Sequence, residues 1–258
     1  MSRSIHLAFA LVGLCAVSLQ AAYANEPIWS RRATTFPARC FAGERKNCRP
    51  LKILAPDGHT YVQASYESLS ADSKSEVVNL TVVRDRRPIG TVGVTGTVDD
   101  EILWSPNSQA LFISGNNNAN SDYHFAVYRV SQSKVEVVDD VAQQALQDMV
   151  RSFPPCRAKD PIANCAELAK APDDYIGTAA IDWLPDSSGI VMMAEVTCSS
   201  SMGGIMCETL GYEIEIPSGK ILRRMEPKDF AKRWQQSMAW KFQDPGPPEF
   251  ADKSAQRK

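Results

Sequence analysis

The sequence predicts a mainly β protein: about three four-stranded repeats, a helical insertion ahead of the third, and a helix near the C-terminus. Three observations carry that reading. From Leu51 onward, short apolar runs alternate with turn residues. One turn signature recurs, in Leu54-Ala55-Pro56-Asp57-Gly58, Trp104-Ser105-Pro106-Asn107-Ser108 and Trp183-Leu184-Pro185-Asp186-Ser187. Two segments, 139–153 and 227–240, replace the alternation with a helical period.

The chain opens on a segment of another kind. Arg3 gives a short positive region, Ile5 to Leu19 an apolar core, and Ala22-Tyr23-Ala24 the small residues of a processing site. That order is a secretory signal, residues 1–24, cleaved after Ala24. The run is shorter than the roughly 20 apolar residues of a spanning helix. Bulky Leu14 argues against lipidation at Cys15. No later segment is apolar enough to span a bilayer, so no membrane span is expected after signal cleavage. With 28 basic and 30 acidic side chains, the net charge is −2. This balance argues against nucleic acid as a partner and against a basic membrane-surface patch.

Residues 25–50, with Pro27, Pro37 and Pro50, read as an irregular N-terminal segment. The β domain, 51–240, begins with strands at Leu51–Leu54, His59–Tyr66, Val77–Val83 and Ile89–Val94. Four strands with evenly spaced turns suggest a sandwich, a barrel or a propeller blade. The second repeat places strands at Glu101–Trp104, Ala110–Ser114, Tyr123–Val130 and Lys134–Val138. The third places them at Ile181–Trp183, Ile190–Val196, Tyr212–Ile216 and Lys220–Leu222. In each signature an apolar residue anchors the strand end. Proline then fixes φ at the turn entry, and Asp, Asn, Ser or Gly closes the turn.

At these residues the chain resembles the TolB-type, WD40-like β-propeller repeat of bacterial envelope proteins, marked by W-S-P-D-G-K before an apolar strand. The resemblance spans 51–94, 101–138 and 179–224. It implies a propeller-like array whose blades mainly host protein contacts. The first copy lacks the tryptophan. The second has Asn107 and Ser108 where Asp and Gly are usual, and the third has Leu184 for Ser and an extra serine. Closed rings use about four to eight blades. Terminal segments completing a fourth blade, or an open array pairing with another copy, would each resolve the shortfall.

The helical insertion covers 139–176. Asp139 or Asp140 can cap a helix whose buried face is Val141, Ala145, Leu146 and Met149, and Ala163–Lys170 reads as a second helical turn. The C-terminal helix, 227–240, has Pro227 at its first position, with Phe230, Trp234 and Met238 on one face. That face suits packing on a sheet, or docking a partner. Residues 241–258 are Pro-rich and expected to be disordered.

Six cysteines follow the signal: Cys40, Cys48, Cys156, Cys165, Cys198 and Cys207. An even count in an exported chain reads as disulfides. They fall in three close pairs, and short loops close at least entropic cost. The expected bridges are 40–48, 156–165 and 198–207, each contributing roughly 2–3 kcal/mol. Structural zinc prefers closer ligand spacing, and only His59 and His124 remain as histidines, so no metal is expected.

No hydrolase elbow, zincin, P-loop or dinucleotide fingerprint is present. No catalytic residue and no cofactor is therefore expected. His59 and His124 lie on expected strands without a motif partner. Asn116, Asn118, Asn120 and Asp122 have a calcium-loop rhythm, but three are neutral amides and Val127 stands where a glutamate is needed. The acidic runs Asp99-Asp100-Glu101, Asp139-Asp140 and Asp173-Asp174 fit capping and solvation. The segment Cys198–Cys207 lengthens the third repeat relative to the second and puts Met202, Ile205 and Met206 on a stapled loop. If exposed, these residues, with Phe230 and Trp234, are binding residues; otherwise the loop folds over its neighbours and buries them.

These features point to an exported non-enzymatic binding module of the bacterial envelope, periplasmic or secreted: a scaffold, assembly factor or inhibitor whose partner is another envelope protein. The alternative is a periplasmic hydrolase or lyase with active-site residues contributed by separate blades. A central cluster of His124 with carboxylates would favour that second function.

Overall fold

The computed structural model of the chain describes residues 28–41, 48–68, 75–95, 99–116, 123–153 and 165–239. The expected signal, Cys156, the loop residues Asn118, Asn120 and Asp122, and the tail 241–258 lie outside them.

The N-terminal segment is not wholly irregular. It carries two short strands, β1 (Thr34–Pro37) and β2 (Arg39–Phe41). Each is too short to show an alternation of its own, and each forms by pairing with a longer strand. The first repeat is the meander β3 (Leu51–Leu54), β4 (Thr60–Ser68), β5 (Ser75–Arg84) and β6 (Arg87–Val92), with β2 also on β5. The second is β7 (Asp99–Trp104), β8 (Ala110–Asn116), β9 (Tyr123–Val130) and β10 (Val135–Val138), with β1 added to β7. The third is β11 (Ile176–Trp183), β12 (Gly189–Val196), β13 (Thr209–Glu215) and β14 (Ile221–Met225). All pairings are antiparallel, so the chain is mainly β with three successive sheets.

The sheets stack through alternate residues. Val62, Leu80 and Val82 of the first sheet share a buried cluster with Ile102, Leu111 and Ile113 of the second. The opposite face of the second sheet, Phe112 and Val127, joins Ala180, Met192, Tyr212 and Ile214 of the third. The third sheet's far face, Ala179, Ile181, Val191 and Met193, is covered by Trp29, Phe230 and Met238.

The turn signature repeats in geometry as well as sequence. Ala55, Ser105 and Leu184 donate their N–H to the carbonyls of Thr60, Ala110 and Gly189, at 2.8, 2.9 and 2.8 Å. Gly58, Ser108 and Ser187 then sit at φ 69°, 61° and 62°. The side chains of Asp57, Asn107 and Asp186 each accept the N–H two residues on. The third turn is thus the same length as the others: its serine pair is a substitution in register, not an insertion.

The same positions link one sheet to the next. Trp104 Nε1 donates to the carbonyl of Ile53 (3.2 Å) and Trp183 Nε1 to that of Leu103 (3.1 Å). Asp57 N–H donates to Ser108 Oγ (2.9 Å), and Asn107 N–H to Ser187 Oγ (3.1 Å). This explains serine where glycine is usual. A left-handed serine costs about 1–2 kcal/mol, and its hydroxyl oxygen offsets this by accepting a backbone N–H from the preceding turn.

Helix α1 (Gln143–Ser152) buries Ala145, Leu146 and Met149 against the third sheet, as their spacing predicted. Its N-cap is Ala142 without a side-chain bond; Asp140 instead takes a left-handed turn, φ 57°. Helix α2 (Cys165–Lys170) follows. Helix α3 (Pro227–Trp234) is shorter than expected. Beyond it the backbone leaves the helix to pair with the N-terminal segment: Arg31 N–H donates to the Ser237 carbonyl and Ala239 N–H to that of Trp29, both 2.9 Å.

Candidate functional site

The signature turns lie at one end of the sheets, and a groove of about 1010 Å³ opens there between the first and second. Its floor is an ion pair. Arg84, at the end of β5, donates from Nε to Thr60 Oγ1 (2.8 Å), from Nη1 to the Ser131 carbonyl (3.0 Å) and from Nη2 to Asp57 Oδ2 (3.3 Å). One guanidinium thereby ties the β3–β4 turn, β5 and the β9–β10 hairpin together. Asp57 also accepts the N–H groups of His59 and Thr60 and the Thr60 hydroxyl. Burial pushes its carboxyl up, but these donors and Arg84 outweigh burial and hold it below the ordinary range.

The rim is polar. Asn107, Gln109, Arg129 and Gln132 are exposed on the second-sheet side. On the first-sheet side His59 Nδ1 lies 3.9 Å from Asp85 Oδ1, with both side chains about three-quarters exposed (76% and 73%). Asp85 and Arg86 form a two-residue hairpin turn, both at positive φ. A smaller hollow of about 320 Å³, lined by Lys52, Tyr61 and Arg86, shares His59 and Asp85 with the groove and continues it onto the first sheet. The rim carries amides, an imidazole and charges of both signs on a cross-braced floor.

The expected binding residues are elsewhere. Met202 and Ile205 are buried (0% and 4% exposed). Residues 200–205 form a 3-10 helix, whose three-residue repeat puts both side chains on one face, packed with Leu168, Val196 and Leu210. The loop therefore closes over its neighbours, and of the three apolar side chains expected to bind, Met206 alone is exposed, at 38%. Phe230 is buried and Trp234 half-buried; both cover the third sheet. The 40–48 and 198–207 disulfides are present. The 156–165 pair lies outside the described side chains.

His124 is half-buried on β9; register sets it opposite Gly115, which is opposite Asp100. Asp100 is buried and accepts the Thr95 N–H and hydroxyl. Burial and the charges of Asp99 and Asp100 push the Tyr66 hydroxyl to about 12, and it donates to the Pro37 carbonyl. Glu101 does not cap or meet solvent: it is buried and accepts the N–H groups of Ile28, Trp29 and Ser30. Asp173 and Asp174 stand in the 3-10 turn Pro172–Asp174. Among the described residues no group of three or more His, Cys, Asp or Glu side chains could hold a metal ion. No helix among them is long and apolar enough to cross a membrane.

The groove eluded sequence reasoning because its residues come from four separate turns. Only the recurrence of those turns pointed to the end of the sheets where they gather. The chain matches no protein-family model, no curated protein and no solved structure.

Proposed function

We propose that the protein is an exported, non-enzymatic binding module of the bacterial envelope, built as three propeller-like blades, whose docking face is the turn end of the first two. The observation that carries this reading is the Arg84-braced groove. Its floor is fixed by hydrogen bonds between backbone and side chains of several turns, so little ordering remains to be done on association. Its rim of amides and mixed charges suits a polar protein segment. Paired cysteines suit an oxidising compartment. The reading moves the interface from the 198–207 loop, where Met202 and Ile205 are core and Met206 alone of the three is exposed.

A photo-crosslinking residue at Gln109 or Gln132 tests this in cells. The expected result is a discrete protein adduct at these positions and none at Gln63 on the first sheet's outer face. Arg129→Glu should abolish the adduct without changing the melting temperature. Adducts at Gln63 alone, or an adduct indifferent to Arg129→Glu, would overturn the assignment.

A further inference from the structure

The floor of the groove carries no net charge. Arg84 and Asp57 cancel, and their remaining hydrogen bonds run to Thr60, His59 and Ser131. The walls therefore set the charge that a partner meets. On the second-sheet side stands Arg129, exposed on β9. Its neighbour across the hairpin is Glu136. Lys134 Nζ already holds that carboxylate at 2.7 Å, and the pull of Arg129 on it is weaker. On the first-sheet side, where the smaller hollow continues the groove, stand Lys52 and Arg86. Asp85 faces His59 there.

The lining of groove and hollow thus holds four cations, Lys52, Arg84, Arg86 and Arg129, against two carboxylates, Asp57 and Asp85. This is a local charge of +2 on a chain whose net charge is −2. Among the described residues neither Arg86 nor Arg129 has a hydrogen bond or an ion pair of its own.

The amides narrow the class of anion. Gln109 and Gln132 are exposed on the same side as Arg129 and have no hydrogen-bond partner among the described residues. Each amide side chain offers both donors and an acceptor, which matches the N–H and C=O groups of an extended peptide. A long polyanion fits less well. Three cations outside the floor make no continuous basic stripe, and beyond the groove such a ligand would meet a negatively charged chain. Stacked sheets lie about 10 Å apart and an extended chain rises about 3.3 Å per residue, so about three residues cross from one wall to the other.

We propose that the groove holds an extended acidic segment of the partner protein, with carboxylates about three residues apart meeting Arg129 on one wall and Arg86 and Lys52 on the other. The proposal rests on the docking face described above and adds what that face selects.

The test is a titration of the oxidised, isotope-labelled protein, read by its backbone amide resonances. The probe is a blocked heptapeptide with glutamates at its second and fifth positions and glycine or serine elsewhere; the control replaces both glutamates with glutamine. The glutamate peptide should shift the amides of Asn107, Gln109, Ser131 and Gln132, with a Kd on the order of 1 mM. The control should bind at least about fivefold more weakly, the scale of two exposed ion pairs. Arg129→Gln should weaken the glutamate peptide at least about threefold, leave the control peptide unchanged and leave the melting temperature unchanged, since the side chain is exposed. Equal binding of the two peptides, or shifts confined to other faces, would overturn the proposal. So would tighter binding of a sulfated hexasaccharide to the same amides, which would make the occupant a polyanion.

Crosslinking at Gln109 separates this proposal from the reading beneath it. An adduct whose linked segment is neutral or basic would keep the docking face and overturn the acidic class alone. No adduct would remove the docking face, and the proposal with it.

Discussion

The first and third sheets end the stack in opposite ways. In the second and third sheets the face turned toward the preceding sheet carries Leu111 and Ile113, then Ile190, Met192 and Ala194, all fully buried within the stack. The matching positions of β4 are Tyr61, Gln63 and Ser65, with Glu67 beyond them; Gln63 and Glu67 are exposed. Leu54, standing where the other copies have tryptophan, is 57% exposed. Lys52 Nζ lies 3.7 Å over the Tyr61 ring and covers it with charge. The third sheet keeps an apolar far face and hides it under α3 and residues 28–30. A stack of repeats needs a polar outer face or a cap at each end. Changing the face makes an end that depends on nothing else. Covering it makes the fold depend on remote segments.

The largest expected effects therefore lie at the covered end. The Phe230 ring rests on Gly211, where an added Cβ would stand 2.0 Å from it. Phe230→Ala should destabilise by about 3–5 kcal/mol, the range for removing a buried aromatic. Tyr61→Ala at the open end should cost less than about 1 kcal/mol. Denaturant titration of both variants checks the contrast, and equal losses would break it. Met202→Ser with Ile205→Ser should likewise unfold the chain rather than spare it, since both side chains are core.

Next in size are the links between sheets. Trp104→Phe and Trp183→Phe each keep an aromatic anchor and remove one indole donor from a carbonyl of the preceding sheet. Each should cost about 1–2 kcal/mol, and the two should agree within about 0.5 kcal/mol if the links are equivalent. A loss at one site alone would show that the sequence repeat is not matched in energy.

The meanders, the recurring turns and the buried face of α1 were legible because each rests on local pattern: two-residue alternation, proline at a turn entry, helical spacing. The two described disulfides followed from short loop length. What stayed hidden was set by distant pairing. Strands β1 and β2 are four and three residues long and form only on β7 and β5. Glu101 read as a solvated acidic run because its three donors lie about 70 residues away. Met202 and Ile205 read as loop-tip residues because the 3-10 turn that buries them has no strong sequence mark. The groove combines four turns, and no linear motif joins them.

A smaller effect separates the groove floor from both ends. Because Asp57 is held below its ordinary value of 3.8, the folded state favours its ionised form. Its contribution is present above that value and is lost as pH falls through the lowered folded pKa. Asp57→Asn should accordingly fall short of wild type most at neutral pH, and the shortfall should shrink as pH drops below about 4. Denaturation midpoints across that range measure it. A gap that stays constant with pH would mean the ion pair with Arg84 contributes only hydrogen-bond geometry.

The smallest change in stability is expected at the open face, where it is the most informative. Gln63 aligns with Ile113 and Met192, and Glu67 with Val196. Replacing them as Gln63→Ile with Glu67→Val would give the first sheet the apolar face its neighbours bury. Both side chains point to solvent, so the folded monomer should gain or lose no more than about 0.5 kcal/mol. Its solution behaviour should change nonetheless. The new side chains would join exposed Leu54 in one apolar patch, and such patches drive association. Sedimentation should show self-association that rises with protein concentration, while wild type stays unchanged over the same range. A variant that remains as dispersed as wild type would mean that charge at Lys52 and the neighbouring turns, not the polarity of β4, keeps this end of the stack free.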